Sequence, residues 1–414
     1  MVITTSDSNG TLVSLNHIGL KRCNSLELLR ACPSTQSYEF FPTDLLIPEE
    51  CFEQDCSDDE SFYSCSSSEA LPKPSYATRD RIYLPSSGRI NVDECIKCLP
   101  SVMETCDSLL TKDSRHYTEQ SRSRVIYVSQ REVAHAVPLQ CDVMMSDKAT
   151  TCHILALRSS SSNAVPLASL THIDGTSYEA CIRAIVQRHI NHHQMDDSLI
   201  SEERRDGQDP DDLMELDLHI LGGFEDHDGT SQKISNWLLR LLADITTKEK
   251  HRVMTTLRTC AISSMNDNGH GVPIGRGLGI NLLKGDVFLA SSNPALAGPD
   301  YILRSLRLWS QDECEPHLEV IHEENISMMK VEPFFFAPFP GRCTKYLLSL
   351  SDRQLQRYTS TSPECEEDDF CPRLRETLVF SLRVSVSDVF GPGLNRTRYY
   401  KRLGFSNTWK CLHT

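Results

Sequence analysis

From about Tyr83 onward, segments with strand periodicity follow one another in adjacent pairs, with few helical stripes between them. The segments "CHILALR" and "LASLTH" flank the loop "SSSSNAVP", and "GLGINLLKGDVFLAS" divides into two strands at Lys284-Gly285. Such pairs are typical of hairpins. Apolar residues recur at the helical period from Tyr178 to His189 and from Ile234 to Ile245. We therefore predict a mixed, largely antiparallel α/β sandwich with packed helices.

Two prolines affect the expected helices. Residues Val92 to Leu110 have a helical pattern that Pro100 is expected to break or kink, because proline lacks the backbone donor. A later helix is predicted over Arg373 to Phe380, beginning just after Pro372.

The first part of the chain has a different composition. The segment "CFEQDCSDDESFYSCSSSEALPKPS" is acidic and rich in serine. Such a segment buries too little apolar surface to offset the entropy of ordering. We expect residues 1–80 to be a mostly disordered extension, either a spacer or a phosphorylated regulatory arm. Residues 83–414 are expected to form the folded domain, with a charged loop inserted at 201–212.

The overall charge argues against one class of function. A net charge of −15 disfavours binding to a phosphate backbone, so we expect no nucleic-acid partner. No apolar run approaches about 20 residues, and we expect no membrane association. The start "MVITTSDSNG" lacks the pattern of a secretory signal, so the 17 cysteines are expected to be mostly reduced. A cytoplasmic, possibly nuclear, monomer is the resulting expectation.

Among the cysteines, Cys152 stands out because a histidine follows on the next predicted strand. Side chains alternate along a strand, so Cys152 and Ile154 share a face and His153 points away. Equal counting from the loop pairs Cys152 with Ile173, whereas a slip of one residue pairs it with His172. The spacing therefore permits a pair of Cys152 and His172 without fixing the register.

Such a pair suits nucleophilic catalysis. A nearby imidazolium lowers the pKa of a thiol and generates the nucleophilic thiolate, and the same histidine can protonate a leaving amine. A third group usually orients the imidazole, and Ser146 and Asp174 are the candidates. Backbone amides around Thr151 and Cys152 are candidates for an oxyanion hole. The alternative is that Cys152 is a small core residue.

Several stretches resemble the protein N-terminal asparagine amidohydrolase family. The most specific are "ATTCH" and "HILGGF", and "IYVSQRE", "LTHIDGT", "SQKISNWLL", "GINLLKGDVF", "APFP" and "STSP" occur in the order that the family has them. The resemblance runs from about Tyr83 to the C-terminus. It implies that Cys152 is the nucleophile. A more distant similarity to chemotaxis-receptor deamidases and deamidating toxins implies His172 as the base and Ser146 as the hydroxyl that orients it.

The resemblance also implies an activity. The family converts asparagine at the N-terminus of proteins or peptides into aspartate and ammonia, and its product enters arginylation and N-degron proteolysis. A Cys152 thioester would be the intermediate, and neither a metal nor an organic cofactor is required. The alternatives are a deamidase of internal glutamine or asparagine, and a catalytically inactive adaptor that binds N-terminal residues.

Recognition of an N-terminal residue also requires a group that binds its amine. A carboxylate is the natural partner of an ammonium ion, and Asp147, Asp174 and Asp226 are the candidates. Their alternative role is in turns or helix caps. Gly222 and Gly223 of "HILGGF" are further candidates for substrate binding.

The segment "RHINHH" places three histidines near one helix face. They could bind zinc, but matched cysteine or acidic ligands are lacking. We expect His189, His192 and His193 to form a solvated helix end instead.

Overall fold

The computed structural model describes residues 4–6, 12–14, 96–97, 99–161, 164–197, 214–269, 271–309, 317–336 and 341–412. Within the expected extension, short strands at 4–6 and 12–14 pair with each other. The remainder of residues 1–80 and the charged loop at 201–212 lie outside the described residues. The expectations of disorder and of an exposed loop there stay predictions.

The strands in the described ranges are numbered in chain order. They are β1 (Thr4–Ser6), β2 (Leu12–Ser14), β3 (Arg115–Tyr117), β4 (Val125–Tyr127), β5 (Glu132–Ala136), β6 (Val143–Ala149), β7 (His153–Ser160), β8 (Leu167–Ile173), β9 (Met214–Gly222), β10 (Val253–Ile262), β11 (Arg276–Asn281), β12 (Val287–Ser292), β13 (Glu319–His322), β14 (Met329–Val331), β15 (Arg398–Arg402) and β16 (Trp409–Cys411).

The α-helices in the same ranges are also numbered in chain order. They are α1 (Pro100–Leu110), α2 (Glu179–Asp197), α3 (Thr230–Glu249), α4 (Tyr301–Ser305), α5 (Gly341–Ser349), α6 (Asp352–Thr359), α7 (Phe370–Arg383) and α8 (Val386–Phe390).

Two mixed sheets form the body of the fold. The larger sheet has the strand order β10-β9-β7-β8-β5-β13-β14-β15-β16, and the smaller has the order β3-β12-β11-β6-β4. Most neighbours are antiparallel, although β9 with β10, β5 with β13, β3 with β12 and β4 with β6 run parallel. The predicted mixed, largely antiparallel α/β architecture is confirmed.

The central strands of the larger sheet are covered on both faces. Strands β6 and β11 of the smaller sheet contact β7, β8 and β9, and helices α2 and α3 contact β8 and β10. Every residue of β8 is buried, and in β7 only Arg158 and Ser160 are not. Burial on both faces explains why these strands are almost continuously apolar rather than alternating.

The helix α3 follows from its sequence pattern. Ile234, Leu238, Leu241, Leu242 and Ile245 are buried, as the helical period predicts. Apolar side chains at this spacing form one stripe that packs on the sheet.

The predicted break at Pro100 is confirmed: residues 96–97 are helical, Leu99 is not, and a new helix, α1, begins at Pro100, because the first position of a helix needs no backbone donor. The predicted start of the later helix at Arg373 is wrong by three residues. Helix α7 already begins at Phe370, so that Pro372 lies within its first turn, where the amide would also have no intrahelical acceptor. Among the described residues, no helix combines the length and the apolar character needed to cross a membrane.

Candidate active site

Cys152 lies immediately before the first residue of β7, His153. In the β7–β8 pair, Ile154 is opposite His172 and His153 is opposite Ile173. Neither register considered from the sequence is therefore correct: the pairing is offset by one residue from equal counting, in the direction opposite to the slip that would pair Cys152 with His172. Cys152 is two residues from the direct partner of His172, which makes the two residues diagonal neighbours on one face, with Cβ atoms about 7 Å apart.

The alternation of side chains along β7 is as predicted. The imidazole of His153 turns toward α3, where its Nε2 atom lies 2.7 Å from Ser235 Oγ. Ile154 and His172 consequently occupy the opposite face, which packs against the smaller sheet, and the same alternation continued one residue before β7 puts Cys152 on it. The candidate nucleophile and base thus share the space between the two sheets.

A hydrogen bond between the sheets holds His172. Ser146 on β6 is fully buried, and its Oγ atom lies 2.7 Å from His172 Nδ1. His172 is only 5% exposed. This contact fixes the ring plane and leaves Nε2 as the nitrogen available for proton transfer when Nδ1–H donates to the serine.

His172 is neutral at physiological pH. Burial lowers its pKa from 6.5 to about 4, and the nearby carboxylates of Asp174 and Glu132 only partly oppose this effect. A neutral imidazole is a proton acceptor, so the ring is in the state that a general base requires.

The Cys152 thiol is also neutral. Burial and then the negative charge of Asp174 raise its pKa from 9.0 to about 12, while a hydrogen bond with the Thr151 side chain and the charge of Arg131 lower it. The sequence-based expectation of a resting thiolate beside an imidazolium is therefore wrong for this state of the protein. Both groups are desolvated, and desolvation disfavours each charged form.

Thr151 connects the cysteine to two other segments. Its carbonyl oxygen accepts a hydrogen bond from Ser231 Oγ on α3 at 3.0 Å. Its own hydroxyl lies 3.3 Å from Thr361 Oγ1, in the segment between α6 and α7. These contacts fix the short turn that carries Cys152.

Gly222 and Gly223 pack directly beneath this turn. A Cβ atom on Gly222, whose φ is +120°, would come 2.3 Å from the Cys152 carbonyl oxygen. A Cβ atom on Gly223 would come 2.6 Å from the His153 ring. Gly223 N–H donates to the Cys152 carbonyl at 2.9 Å. The glycines of "HILGGF" allow the backbone to approach the candidate nucleophile closely.

Asp174 lies beside Cys152 in a group of polar side chains. Its carboxylate accepts hydrogen bonds from Gln130 Nε2 at 2.8 Å, Arg131 Nε at 2.6 Å and the Tyr178 hydroxyl at 2.5 Å. Its charge and that of Arg131 both act on the thiol. The structure therefore brings Asp174 to the site, but in an ion pair.

The two other candidate carboxylates have structural contacts. Asp147 points away from Ser146 and accepts hydrogen bonds from the Tyr127 hydroxyl and from the backbone and side chain of Ser292. Asp226 accepts from the backbone N–H groups of Thr230 and Ser231 at the start of α3. These contacts favour the turn and capping roles that the sequence left open.

The helix α2 histidines are not a solvated helix end. His189 and His193 are buried, and Ser159 Oγ on β7 lies 2.7 Å from His189 Nδ1 and 2.8 Å from His193 Nε2. Ser169 Oγ on β8 lies 2.8 Å from His189 Nε2. Serines on the sheet satisfy the ring nitrogens, which a sequence pattern cannot reveal. In the described ranges, no group of three or more His, Cys, Asp or Glu is arranged to hold a metal ion.

Three charged or polar neighbours of Cys152 were missed by sequence reasoning. Arg131 and Glu366 act on its thiol, and Tyr178 hydrogen-bonds to Asp174. Arg131 lies within the motif "IYVSQRE", and Glu366 lies three residues after the motif "STSP". The sequence did not indicate that either residue is near Cys152, because each lies on another segment of the chain, more than 200 residues away for Glu366.

Comparison with known proteins places this arrangement in a family. The family model of protein N-terminal asparagine amidohydrolase matches residues 115–411, which include every element of the site described above. This chain belongs to the protein N-terminal asparagine amidohydrolase family.

Individual relatives agree. The protein N-terminal asparagine amidohydrolase of Sus scrofa is 29% identical over 281 residues, which cover 67% of this chain and 81% of that protein. The human protein of the same name is 28% identical over 258 residues, 62% of this chain and 74% of that protein. The Arabidopsis thaliana protein is 26% identical over 288 residues, 66% of this chain and 77% of that protein. The resemblance recognised in the motifs is thereby confirmed at the level of the family.

Proposed function

We propose that this protein hydrolyses the side-chain amide of an N-terminal asparagine, giving N-terminal aspartate and ammonia through a Cys152 thioester. The observation that carries the proposal is the Ser146–His172 hydrogen bond, which holds a neutral imidazole on the face shared with Cys152. Membership of the amidohydrolase family supports the same chemistry. No cofactor is needed for it.

The first half of the reaction forms the thioester. Neutral His172 accepts the thiol proton as the Cys152 sulfur bonds to the carboxamide carbon, whose π electrons move onto oxygen. The tetrahedral intermediate then collapses: the carbonyl re-forms, the carbon–nitrogen bond breaks, and the imidazolium donates its proton to the departing nitrogen, which leaves as ammonia. Because both resting groups are neutral, the ion pair forms only during attack.

The second half hydrolyses the thioester. His172 accepts a proton from water as the hydroxide bonds to the same carbon. The carbon–sulfur bond then breaks, and the imidazolium returns its proton to the sulfur. Ser146 holds the ring through both halves. Cys152 and His172 are diagonal neighbours, and catalytic hydrogen bonds often shorten only when substrate is bound.

The developing oxyanion requires donors near the sulfur. Among the described residues, the backbone N–H groups of Thr151 and Cys152 donate to no backbone carbonyl, which leaves them available. The Thr151 side chain already hydrogen-bonds to the thiol and supports the turn. Gly222 and Gly223 shape the site by letting their strand approach it.

The product suggests a cellular role. N-terminal aspartate is the type of residue that arginylation and N-degron proteolysis recognise in the family's pathway, and we propose that this protein supplies it. Its substrates would be cytoplasmic, possibly nuclear, proteins or peptides with N-terminal asparagine.

The test uses the full chain and a peptide that begins with asparagine. We expect release of ammonia and a mass increase of about 1 Da on conversion to aspartate. Cys152→Ser should abolish turnover, because the alcohol is a far weaker nucleophile at this pH. The N-acetylated peptide should not react. Turnover of the acetylated peptide would instead indicate a deamidase of internal amides, and no turnover by well-folded protein would indicate an adaptor.

A further inference from the structure

An N-terminal asparagine places strict limits on where its amine can be bound. Only two carbon atoms separate its α-nitrogen from the carboxamide carbon, so these atoms are at most about 4 Å apart. A carboxylate that binds the ammonium does so at about 2.8 Å. The receptor for the amine must therefore lie next to the Cys152 sulfur, and it needs an oxygen that is still open.

The carboxylates suggested by the sequence do not meet both conditions. Asp147 and Asp226 hydrogen-bond to residues of their own surroundings. Asp174 is beside the sulfur, but the guanidinium of Arg131 already pairs with it at 2.6 Å. A substrate ammonium would have to compete there with a resident cation.

A C-terminal segment, residues 360–369, is fastened to the residues around Cys152. Thr361 Oγ1 lies 3.3 Å from Thr151 Oγ1, directly beside the cysteine. On the other side of the turn, Lys148 Nζ pairs with Glu367 at 2.8 Å and with Asp369 at 3.1 Å. These contacts fasten the segment on both sides of Glu366 to the turn that carries the candidate nucleophile.

Glu366 lies in this segment between the two points of attachment. It is half-buried, and the Ser360 hydroxyl donates a hydrogen bond to its Oε1 atom. Among the described residues, no other group donates a hydrogen bond to its carboxylate. Its negative charge contributes to the raised pKa of the Cys152 thiol.

The environment of Glu366 favours an incoming cation. Burial raises the pKa of its carboxyl group, and the charge of Lys148 opposes this effect only in part. The ion pairs of Lys148 are with Glu367 and Asp369 instead. A partly desolvated carboxylate without its own cation is stabilised when a ligand brings one.

We propose that Glu366 binds the α-ammonium group of the N-terminal asparagine and so makes the enzyme specific for free N-termini. The inference rests on the proposed function and adds the residue that recognises the amine. Glu366 holds the amine and the turn at Cys152 holds the sulfur. The fixed distance between the Glu366 carboxylate and the Cys152 sulfur then sets the length of side chain whose carboxamide reaches the sulfur. Glutamine is longer by one methylene, which moves its carboxamide by more than 1 Å, a displacement that costs on the order of 100-fold in rate.

The test compares an asparagine peptide with the same peptide lacking only the α-amine. Wild-type protein should favour the amine by roughly 100-fold in kcat/KM, because truncating one member of a desolvated charge pair costs on the order of 100-fold in many complexes. In Glu366→Gln the preference should fall below about 10-fold. Each preference is the ratio of kcat/KM for the two peptides, measured with the same variant. A lower fraction of folded protein reduces both values equally and does not change their ratio. Glu364→Gln is the matched control, since Glu364 is exposed two residues away, and it should keep the wild-type ratio.

A binding measurement serves if Glu366→Gln has no measurable turnover. In the Cys152→Ala background, calorimetry should give tighter binding of the amine-containing peptide, and adding Glu366→Gln should remove the difference. If Glu366→Gln keeps the wild-type preference by either readout, Glu366 is not the receptor, while the proposed function stands. If wild-type protein releases no ammonia from the asparagine peptide, the function itself is wrong, and the inference with it.

Discussion

At the scale of single residues, the site depends on protonation states set by burial. His172 is neutral because its ring is removed from water, and the Cys152 thiol keeps its proton for the same reason. The proposed attack therefore begins from an uncharged pair, unlike cysteine enzymes with a resting thiolate. In such a pair the orientation of the base matters, since the proton must move as the sulfur attacks.

Ser146 is expected to act as a positioning residue through His172. Ser146→Ala removes the 2.7 Å contact to Nδ1 and should lower kcat by about 10- to 100-fold with little change in KM, the range found for groups that orient histidines in metal sites. Steady-state kinetics with the asparagine peptide measure this. Ser146→Thr retains a hydroxyl and should recover part of kcat. An unchanged kcat in Ser146→Ala would show that the contact does not orient the base.

At the scale of elements, the turn between β6 and β7 is built against the end of β9. Gly223 N–H donates to the Cys152 carbonyl, so the ladder between β7 and β9 continues past His153 up to the cysteine. The close approach is possible only because Gly222 has no side chain. The position of the candidate nucleophile thus depends on a glycine on another strand, about 70 residues later in the chain.

A pair of glycine substitutions separates this packing from backbone strain. Gly229→Ala adds a Cβ atom where φ is +63° but no atom lies within 4 Å, and should cost about 1 kcal/mol of unfolding free energy. Gly222→Ala adds strain at φ +120° and a 2.3 Å clash with the Cys152 carbonyl. It should cost at least about 2–3 kcal/mol and lower kcat/KM. Urea unfolding and kinetics measure both, and equal costs would contradict the role of Gly222.

At the scale of the whole molecule, many buried histidines are held neutral within the sandwich. Burial lowers the pKa of His153 and His189 to about 3 and that of His172, His219 and His322 to about 4. Serine hydroxyls or backbone carbonyls accompany several of these rings, as Ser159 and Ser169 accompany His189. The fold accommodates the rings only without their charge.

The pH dependence of stability follows from these shifts. Folded pKa values lie below the unfolded value of 6.5, so the unfolded state binds more protons between about pH 4 and 6.5. The contribution of these neutral histidines to the free energy of unfolding should be fully present above pH 6.5. Below pH 6.5 the free energy of unfolding should fall by about 1 kcal/mol per buried histidine per pH unit. Urea unfolding from pH 7 to 5 measures the slope. His189→Gln should flatten it, and the fully exposed His227→Gln should not; equal stability at pH 7 and 5 would refute the prediction.

The sequence alone was enough to predict the family, the mixed α/β architecture and the strands β7, β8, β11 and β12. The apolar runs of β7 and β8 and the helical period of α3 are local properties of the sequence, and these residues are buried in the structure. The face shared by Cys152 and His172 was likewise predictable, because alternation along a strand is local. The register between the two strands was not, because it depends on how the chain crosses the loop between them.

Only the tertiary structure decided what surrounds the candidate nucleophile. Ser146 reaches His172 from the other sheet, and Glu366 reaches the cysteine turn from a segment more than 200 residues away. The buried histidines of α2 looked solvated because their serine partners lie on β7 and β8. Sequence periodicity determines which face of an element is buried, whereas pKa values and open hydrogen-bonding groups depend on which elements meet, and this is a property of the assembled fold.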